Sequence, residues 1–595
     1  MNRWIKVFLF LEAISLAFAV SFTALDDFDV FWHLKCGELF IKKFAIFHED
    51  IFSYTVAGAP WVDGYLPAQA LLYMGWLLGG PAGVVALGSL LSAGSYGLAL
   101  LISRRGSREG FGAALAASIP AVYLAFNALV PRPALLSPTF ALVTLWLLED
   151  HRLRGGRRIY WLLPLTTLWA NCHPGFVTGP VITAIYITGQ VLGDRPVDQP
   201  DGPEPHRARL DLLLIGQVIA TLVNPYGPLI YLYAVQVPAF SEMNKSIVEW
   251  QPLFSPIANS AGIVPCCIIV TAVWVACLIW SGRRTQATHV LMFFFLIAAT
   301  LYARRNLILL GPLSLPLIAW TVNDGIARPI HNAPLRRYRH GEIGVKLGAA
   351  LLIAAGLALI WFVATNRLYF YTKSRRYIGA GISSTSFPTK GAELLKNEPV
   401  AGNLLHTYQS GGYILFELFP KFHTYTDGRL YIFPSYLFKV EQDSKWFEKE
   451  FVNARRRYDI RAALLPISPK FYYPALGLFL YSPRWAAVAA DEWGVLFLAR
   501  GAGNDDVIRR HEIDLLKNPP LFNTPQAGKA FHWWSGAVYP HGPVRWAMFY
   551  YALRRPDLSA RALAPALQYM PMRKALQTQY DELLQKAGQL EFPER

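Results

Sequence analysis

An acidic stretch near the N-terminus, residues 26–33, contains the first side chains in the sequence that could do chemistry. It holds three carboxylates and one imidazole: Asp26, Asp27, Asp29 and His33. Carboxylates can act as a general base or bind a divalent cation, and a histidine beside them can bind a metal or carry a proton. A further carboxylate, Asp63, follows in the same loop. The alternative interpretation is a solvated acidic loop without a chemical role.

Three arginines form a second group, because they interrupt or flank apolar segments. Arg132 lies between two prolines in a short turn, and Arg304 and Arg305 separate two apolar blocks. Arginine is costly near a membrane and usually has a partner there. Its planar guanidinium suits a phosphate. The sequence therefore predicts a phosphate-binding role, and the alternative is contact with lipid headgroups.

Two more polar residues accompany the ends of apolar segments. His173 is followed by Pro174 and Gly175, which break a helix and can direct the imidazole into a cavity. The alternative for His173 is a capping turn. Glu249 precedes Trp250 in a loop, and tryptophan suits a membrane interface. We treat His173 and Glu249 as candidate substrate-binding residues beside the three arginines.

The composition of the chain indicates a membrane protein. Of the 595 residues, 53% are hydrophobic and only 16% are charged, whereas globular chains carry about 25% charged residues. Five cysteines are too few for a disulfide scaffold. The apolar blocks have lengths that suit a bilayer. The predicted spans, about eleven, are 5–25, 81–103, 111–130, 134–149, 158–172, 175–192, 210–224, 261–281, 288–303, 305–321 and 345–365.

The loops between the spans predict the topology. With a cytoplasmic N-terminus, most lysines and arginines of the loops fall on the cytoplasmic side, as the positive-inside rule requires. This distribution explains much of the net charge of +16 without nucleic acid. Residues 66–80 are predicted to lie along the outer interface, within a first outer loop of about 26–80. An odd number of spans then places the chain after residue 366 outside.

The C-terminal part predicts a different kind of structure. Short apolar strands are expected at AGNLLHTY, KFHTYTDGR, RAALLPIS and WGVLFLAR, with a helix at 388–398. This alternation predicts a soluble α/β domain over 367–542. Residues 543–595 return to helical periodicity and predict a closing helical segment. Residues 1–366 form the predicted transmembrane domain.

Several motifs resemble a family of bacterial multi-span proteins with a GT-C glycosyltransferase-like core. The matching stretches run in order along the chain: Asp29 to His33 with Gly37, Pro60 to Asp63, Arg132-Pro133, Trp169 to Gly175, Asn224 to Gly227, Glu249 to Gln251, Arg304 to Asn306, Gly402-Asn403, Gly411 to Tyr413 and Asp427 to Arg429. The wider GT-C class includes protein O-mannosyltransferases, aminoarabinose transferases and oligosaccharyltransferases. Its plan is a polytopic core, a long acidic first outer loop and often a soluble outer domain.

The resemblance implies an inverting glycosyltransferase that uses a polyprenyl-phosphate-linked sugar. The acceptor would be a protein, lipid or glycan at the outer face of the bacterial inner membrane, with the C-terminal domain periplasmic. The class's acidic pair corresponds to Asp26-Asp27 or to Asp29, and Asp63 to its second carboxylate. No cofactor is required by the resemblance. A divalent cation, Mg²⁺ or Mn²⁺, is the alternative, with these ligands: Asp26, Asp27, Asp29 and His33.

Two other functions remain open from the sequence. A transporter or flippase on the same core should show paired half-helices and inverted repeats, and none is evident. A non-catalytic assembly subunit of a surface-glycan pathway would use the C-terminal part to recruit a partner. The sequence has no Walker lysine, no HExxH and no CxxC motif, so nucleotide-driven transport and these metal sites are not supported.

Overall fold

The structure is a computed structural model of the 595-residue chain. It describes residues 3–107, 110–194, 208–232, 247–255, 262–282, 285–326, 339–438, 444–468, 472–520, 522 and 538–567. The helices, in chain order, are α1 Arg3–Ser21, α2 Val30–Lys43, α3 Leu66–Gly106, α4 Phe111–Leu124, α5 Leu136–Arg154, α6 Leu162–Cys172, α7 Thr178–Val191, α8 Leu210–Thr221, α9 Ile263–Ser281, α10 Ala287–Tyr302, α11 Leu307–Ile326, α12 Arg339–Ala364, α13 Arg367–Tyr371, α14 Thr389–Asn397, α15 Tyr408–Leu418, α16 Ser444–Tyr458, α17 Tyr472–Tyr481, α18 Asp505–His511, α19 His541–Ala552 and α20 Pro556–Leu567. The strands are β1 Asn403–His406, β2 Ile460–Pro466, β3 Trp485–Ala490 and β4 Gly494–Ala499.

The chain divides into two compact units, each assembled from separate stretches of sequence. The first, called here the membrane unit, comprises Met1–Phe22, Phe40–Ile46 and Val62–Phe362. The second, called the sheet unit, comprises Thr23–Leu39, Phe47–Trp61 and Val363–Arg595. Most of the predicted first outer loop therefore packs with the C-terminal part of the chain.

The membrane unit is built from apolar helices. In the described part of the chain, five helices are long and apolar enough to cross a membrane: Arg3–Ser21, Leu66–Arg105, Ile263–Ser281, Arg304–Gly325 and Gly344–Ala364. Helices satisfy their backbone hydrogen bonds internally, which is what a bilayer demands. The chain is therefore a multi-pass membrane protein. The other predicted spans also contain helices. Most of these are shorter, and α5, although 19 residues long, is not among the five. The number of crossings therefore stays a prediction.

Burial separates the central helix of the membrane unit from its periphery. Buried residues make up 83% of the apolar window in Arg304–Gly325 but only 17% of that in Gly344–Ala364. Helix α11 therefore forms the core of this unit. The apolar side chains of α12 remain largely uncovered by protein, as expected for a helix that faces lipid.

Helix α3 contains a sharp reversal. Gly79 and Gly80 leave helical geometry, and Gly80 has a φ of 56° and a ψ of −137°, which favours glycine. A Cβ atom on Gly83 would lie 2.0 Å from the carbonyl oxygen of Gly75. The segments before and after the reversal therefore touch backbone to backbone. Residues 66–78 are helical, and their placement along a membrane surface stays a prediction.

The sheet unit contains a four-stranded sheet in the order β1-β2-β4-β3. Strand β1 pairs with β2 in parallel, and β4 pairs with both β2 and β3 in antiparallel fashion. Every residue of β4 is buried, as expected for a central strand covered on both faces. Three predicted strands and the helix near 388–398 are thus confirmed as β1, β2, β4 and α14.

One strand predicted for this part of the chain was wrong, and one observed strand was missed. Residues 421–429 do not form a strand, because the side chain of Asp427 accepts hydrogen bonds from the backbone and guanidinium of Arg429 and holds a turn. Strand β3, with the sequence WAAVAA, was not predicted. Helices α19 and α20 overlap the predicted helical segment 543–595, and residues 568–595 of that segment lie outside the described residues.

Backbone bonds join the N-terminal stretches of the sheet unit to its C-terminal stretch. The amide of Leu25 donates to the carbonyl of Gly381 across 2.8 Å, and Ser383 donates back to Leu25 across 2.9 Å. In the same way, Thr424 donates to Phe52 across 2.9 Å. These are β-type contacts, so residues 23–25 and 52–54 are structural parts of this unit.

Candidate active site

An ion pair joins two of the predicted residues in the membrane unit. The Nη2 atom of Arg132 donates to the Oε2 atom of Glu249 across 2.5 Å. The guanidinium of Arg305 lies over the ring of Trp250, with its Cζ atom 4.1 Å from the ring centroid. Partial burial raises the pKa of Glu249, but Arg132 and Arg305 outweigh it and hold this pKa below its ordinary value. Glu249 is therefore an anion that faces two cations.

Local backbone geometry explains how these side chains come together. Arg132 precedes Pro133, which opens a short 3-10 helix, and its own backbone is extended at a φ of −149°. Residues Arg304–Asn306 form another short 3-10 turn. The amide of Arg304 donates to the carbonyl of Gln251 across 3.0 Å, which fixes the Glu249 loop beside this turn. The side chain of Arg304 itself is buried.

His173 extends this group. Its Nδ1 atom accepts the backbone N–H of Gly175 at 3.0 Å and lies 2.8 Å from the hydroxyl of Ser137. The Ser137 oxygen in turn accepts the indole N–H of Trp169 at 3.0 Å. Burial lowers the pKa of His173 well below its ordinary value, and the nearby Arg305 and Arg132 lower it further. His173 is thus neutral at pH 7, with its proton on Nε2 as a hydrogen-bond donor.

Asp63 also belongs to the membrane unit. Its Oδ1 atom accepts the amide N–H of Gln69 across 2.9 Å, and both side chains are buried. The ring of Tyr65, two residues further on, lies 6.0 Å from that of His173. Six of the predicted site residues therefore lie in this unit: Asp63, Arg132, His173, Glu249, Arg304 and Arg305.

The acidic stretch 26–33 lies in the sheet unit. An oxygen of Asp26 is 4.0 Å from the guanidinium of Arg376. Burial raises the pKa of the Asp26 carboxyl from 3.8 to about 6, although Arg376 opposes the shift. A carboxylate with a pKa near neutrality is a better general base than an ordinary aspartate. Arg376 carried no signal in the sequence, because its partner is encoded in a distant segment.

The other members of this stretch are held by local contacts. Asp27 accepts the backbone N–H of Asp29 at 3.0 Å, just before α2 begins. Asp29 accepts the indole N–H of Trp32 at 3.2 Å. The buried ring of His33 packs on that of Trp32, with 3.6 Å between the centroids. These bonds fix the direction in which the Asp29 carboxylate points.

The predicted metal ligands do not form a ligand set. Within the described ranges, no group of three or more histidine, cysteine, aspartate or glutamate side chains is arranged to hold a metal ion. A divalent cation at Asp26, Asp27, Asp29 and His33 gains no support from this geometry and stays an expectation from the sequence. Asp27 and Asp29 each accept an N–H group here.

The sheet unit contains a buried ionic cluster that the sequence did not predict. The guanidinium of Arg429 contacts Asp427 at 2.6 Å and Asp50 at 2.6 Å, and all three side chains are fully buried. Its Cζ atom also lies 4.6 Å from the ring centroid of Trp61. The motif Asp427 to Arg429 is visible in the sequence, but no sequence signal links it to Asp50.

The fold can now be compared with solved structures. The archaeal oligosaccharyltransferase AglB from Archaeoglobus fulgidus, in complex with an inhibitory peptide and a dolichol-phosphate, matches with a TM-score of 0.50 at 10% identity. The match covers 82% of this chain and 73% of that chain. The fold is GT-C-like. The resemblance that the ordered motifs indicated is therefore confirmed at the level of the fold.

Two further solved structures with a GT-C-like fold are similar to the chain. The apo oligosaccharyltransferase from Archaeoglobus fulgidus has a TM-score of 0.45 and 12% identity, covering 78% of this chain and 70% of that one. ArnT from Cupriavidus metallidurans, bound to undecaprenyl phosphate, has a TM-score of 0.46 and 12% identity, covering 84% and 98%. No family profile matches the chain, and no curated protein is detectably similar in sequence.

Proposed function

We propose that this chain is a membrane glycosyltransferase. It would transfer a sugar from a polyprenyl-phosphate-linked donor to an acceptor at the outer face of the bacterial inner membrane. The observation that carries the proposal is the group of Arg132, His173, Glu249 and Arg305 in the membrane unit of a GT-C-like fold. AglB, whose fold is similar, was solved with a dolichol-phosphate, which agrees with a lipid-phosphate substrate here.

The arginine group suits the leaving group of such a reaction. When the bond between the anomeric carbon and the phosphate oxygen breaks, the lipid phosphate leaves with the electron pair and gains negative charge. Arg132 and Arg305 would neutralise this charge, assisted by Arg304, and the Nε2–H of His173 would donate a hydrogen bond. Glu249 would orient the two guanidinium groups, since it faces both.

A carboxylate would complete the reaction as general base. It accepts the proton of the acceptor hydroxyl, whose oxygen then attacks the anomeric carbon from the side opposite the phosphate, which inverts the configuration. The candidates are Asp26, Asp27 and Asp29 of the sheet unit and Asp63 of the membrane unit. The pKa of about 6 favours Asp26 on acidity. No metal takes part in this scheme.

The proposal is tested in cells that lack the native copy. We would express Arg132→Gln, Arg305→Gln, Asp26→Asn, Asp29→Asn and Asp63→Asn, check each in the membrane fraction, and measure lipid-linked sugars and surface glycans by mass spectrometry. We expect both arginine variants and at least one aspartate variant to lose a glycan while its lipid-linked donor accumulates. Arg158→Gln is the matched control, because its side chain is 69% exposed. Wild-type glycans in all five variants would contradict the proposal and favour an assembly subunit.

A further inference from the structure

Gly428 lies against the side chains that hold Asp29. A Cβ atom on Gly428 would be 2.2 Å from Oδ1 of Asp29 and 2.9 Å from Nε1 of Trp32. Real Cβ atoms do not approach other atoms so closely, so the bond between Asp29 and Trp32 occupies the space that any other residue's side chain would need. The Asp29 carboxylate can therefore keep its orientation only because residue 428 has no side chain.

Two glycines of α15 complete the arrangement. A Cβ atom on Gly412 would lie 2.7 Å from the carbonyl oxygen of Phe28, and one on Gly411 would lie 2.2 Å from the carbonyl oxygen of Thr426. Helix α15 thus touches the backbone just before α2 on one side and the turn at 426 on the other. We call Gly411, Gly412 and Gly428 the glycine clasp.

The turn that carries Gly428 is rigidly held. Asp427 accepts the backbone N–H of Arg429 at 3.0 Å and its Nε–H at 2.9 Å. The Nη1 atom of Arg429 also donates to Asp50 across 2.6 Å. Since these groups are fully buried, a displacement of Gly428 would break several charge-assisted bonds at once. The backbone cannot easily yield, so a new side chain would displace Asp29 instead.

We propose that the glycine clasp is a positioning element for the carboxylate of Asp29, and that Gly428 is its key residue. This inference rests on the proposed function, because it assumes that Asp29 serves the transfer reaction. The clasp holds the aspartate without touching substrate, so its glycines are positioning residues rather than catalytic ones. The proposed role also explains why glycines occur in the motifs at 411–412 and 427–429. Catalytic carboxylates need this kind of support, since small displacements lower the rate steeply.

The decisive variant is Gly428→Ala in the full chain, and Gly381→Ala is its matched control. Gly381 belongs to the same unit, and a Cβ atom there would meet nothing within 4 Å. The first readout is ¹⁹F NMR of the protein labelled with 5-fluorotryptophan, in which Trp32→Phe assigns the Trp32 signal. We expect Gly428→Ala to shift this signal alone, with a melting temperature close to that of Gly381→Ala. An unchanged Trp32 signal in folded Gly428→Ala would overturn the inference.

The second readout is glycan formation in cells lacking the native copy. We expect Gly428→Ala to lower the glycan by about a hundredfold, as for a catalytic group displaced by about 1 Å, and Gly381→Ala to have no effect. If Gly428→Ala does not fold, Trp32→Phe removes the N–H that Asp29 accepts while keeping an aromatic ring at this position, and about a tenfold loss is expected. A folded Gly428→Ala or Trp32→Phe with wild-type glycans, beside an inactive Asp29→Asn, would overturn the inference.

Failure of the inference and failure of the proposed function give different results. A fully active Asp29→Asn would overturn the inference, while the loss of glycan in Arg132→Gln would still support the glycosyltransferase. Wild-type glycans in Arg132→Gln, Arg305→Gln and all aspartate variants would remove the proposed function and the inference together.

Discussion

Arg132 and Glu249 are 117 positions apart in the chain and share a hydrogen bond of 2.5 Å. Because Glu249 also faces Arg305, the group contains two cations and one anion, and its formal charge is +2 − 1 = +1 while His173 is neutral. A phosphate would meet a net positive site whose carboxylate opposes it. In the proposed reaction, Glu249 would therefore tune the affinity for the phosphate as well as orient the arginines.

This balance gives a prediction for lipid-phosphate binding. Glu249→Gln should bind a polyprenyl phosphate more tightly than the wild type, because the opposing charge is gone, and Arg132→Gln should bind it about tenfold more weakly. Thermophoresis with undecaprenyl phosphate in detergent measures both affinities. Arg158→Gln should bind as the wild type does. Weaker binding by Glu249→Gln would mean that orientation of the arginines outweighs the removal of negative charge.

The buried cluster around Arg429 predicts a large effect on stability. Arg429→Met leaves the carboxylates of Asp50 and Asp427 buried without their cation, which costs about 3–5 kcal/mol. The melting temperature should fall by about 10 °C, measured by intrinsic fluorescence in detergent. Arg509→Met is the control, since the pair between Arg509 and Asp506 is exposed and contributes little. Equal melting temperatures for the two variants would show that the cluster does not stabilise the sheet unit.

Asp26 predicts a pH dependence of stability. Its pKa is about 6 in the folded protein and 3.8 ordinarily, so the folded state binds the proton more tightly and stability falls as the pH rises from about 4 to about 6. Asp26→Asn removes this loss. It should be more stable than the wild type by at most about 3 kcal/mol at pH 8 and equally stable near pH 3. Melting curves at the two pH values check this, and a constant difference between them would contradict it.

The reversal in α3 predicts opposite effects for two glycine substitutions. Gly83→Ala places a methyl group against the carbonyl of Gly75, at 2.0 Å if nothing moves, and should lower the melting temperature. Gly94→Ala, in the same helix, meets nothing within 4 Å. It should be neutral or slightly stabilising, because alanine favours helix over glycine by about 1 kcal/mol. A Gly83→Ala protein as stable as Gly94→Ala would show that the reversal can open at little cost.

The sequence predicted those parts of the fold that depend on local pattern. Apolar runs identified the helices and the strands β1, β2 and β4, because buried strands and membrane helices need continuous apolar segments. Strand β3 was not predicted, because its four alanines favour the strand conformation only weakly. Residues 421–429 carry alternating aromatic and β-branched residues, yet the side-chain bonds of Asp427 decide their conformation.

Individual residues of the candidate site could be predicted from the sequence, but the contacts between them could not. A charge at the end of an apolar segment is visible in the sequence, and this singled out Arg132, Arg305 and Glu249. The pairing of Arg132 with Glu249 joins chain segments more than a hundred residues apart. The bond between Arg429 and Asp50 spans 379 positions, and no periodicity in a single sequence encodes such a partner. The same holds for Arg376 beside Asp26.

The sheet unit has a consequence for the order of biosynthesis. Its stretches Thr23–Leu39 and Phe47–Trp61 leave the ribosome early, but their partners begin only at Val363. The contacts of Asp50 with Arg429 and of Leu25 with Gly381 can therefore form only after every apolar helix between them in the sequence has been synthesised. The sheet unit cannot close before the membrane unit has been synthesised. A ribosome that stalls or terminates before Val363 would release a chain whose early acidic segment has no partner, and such a chain should be a substrate for membrane proteases.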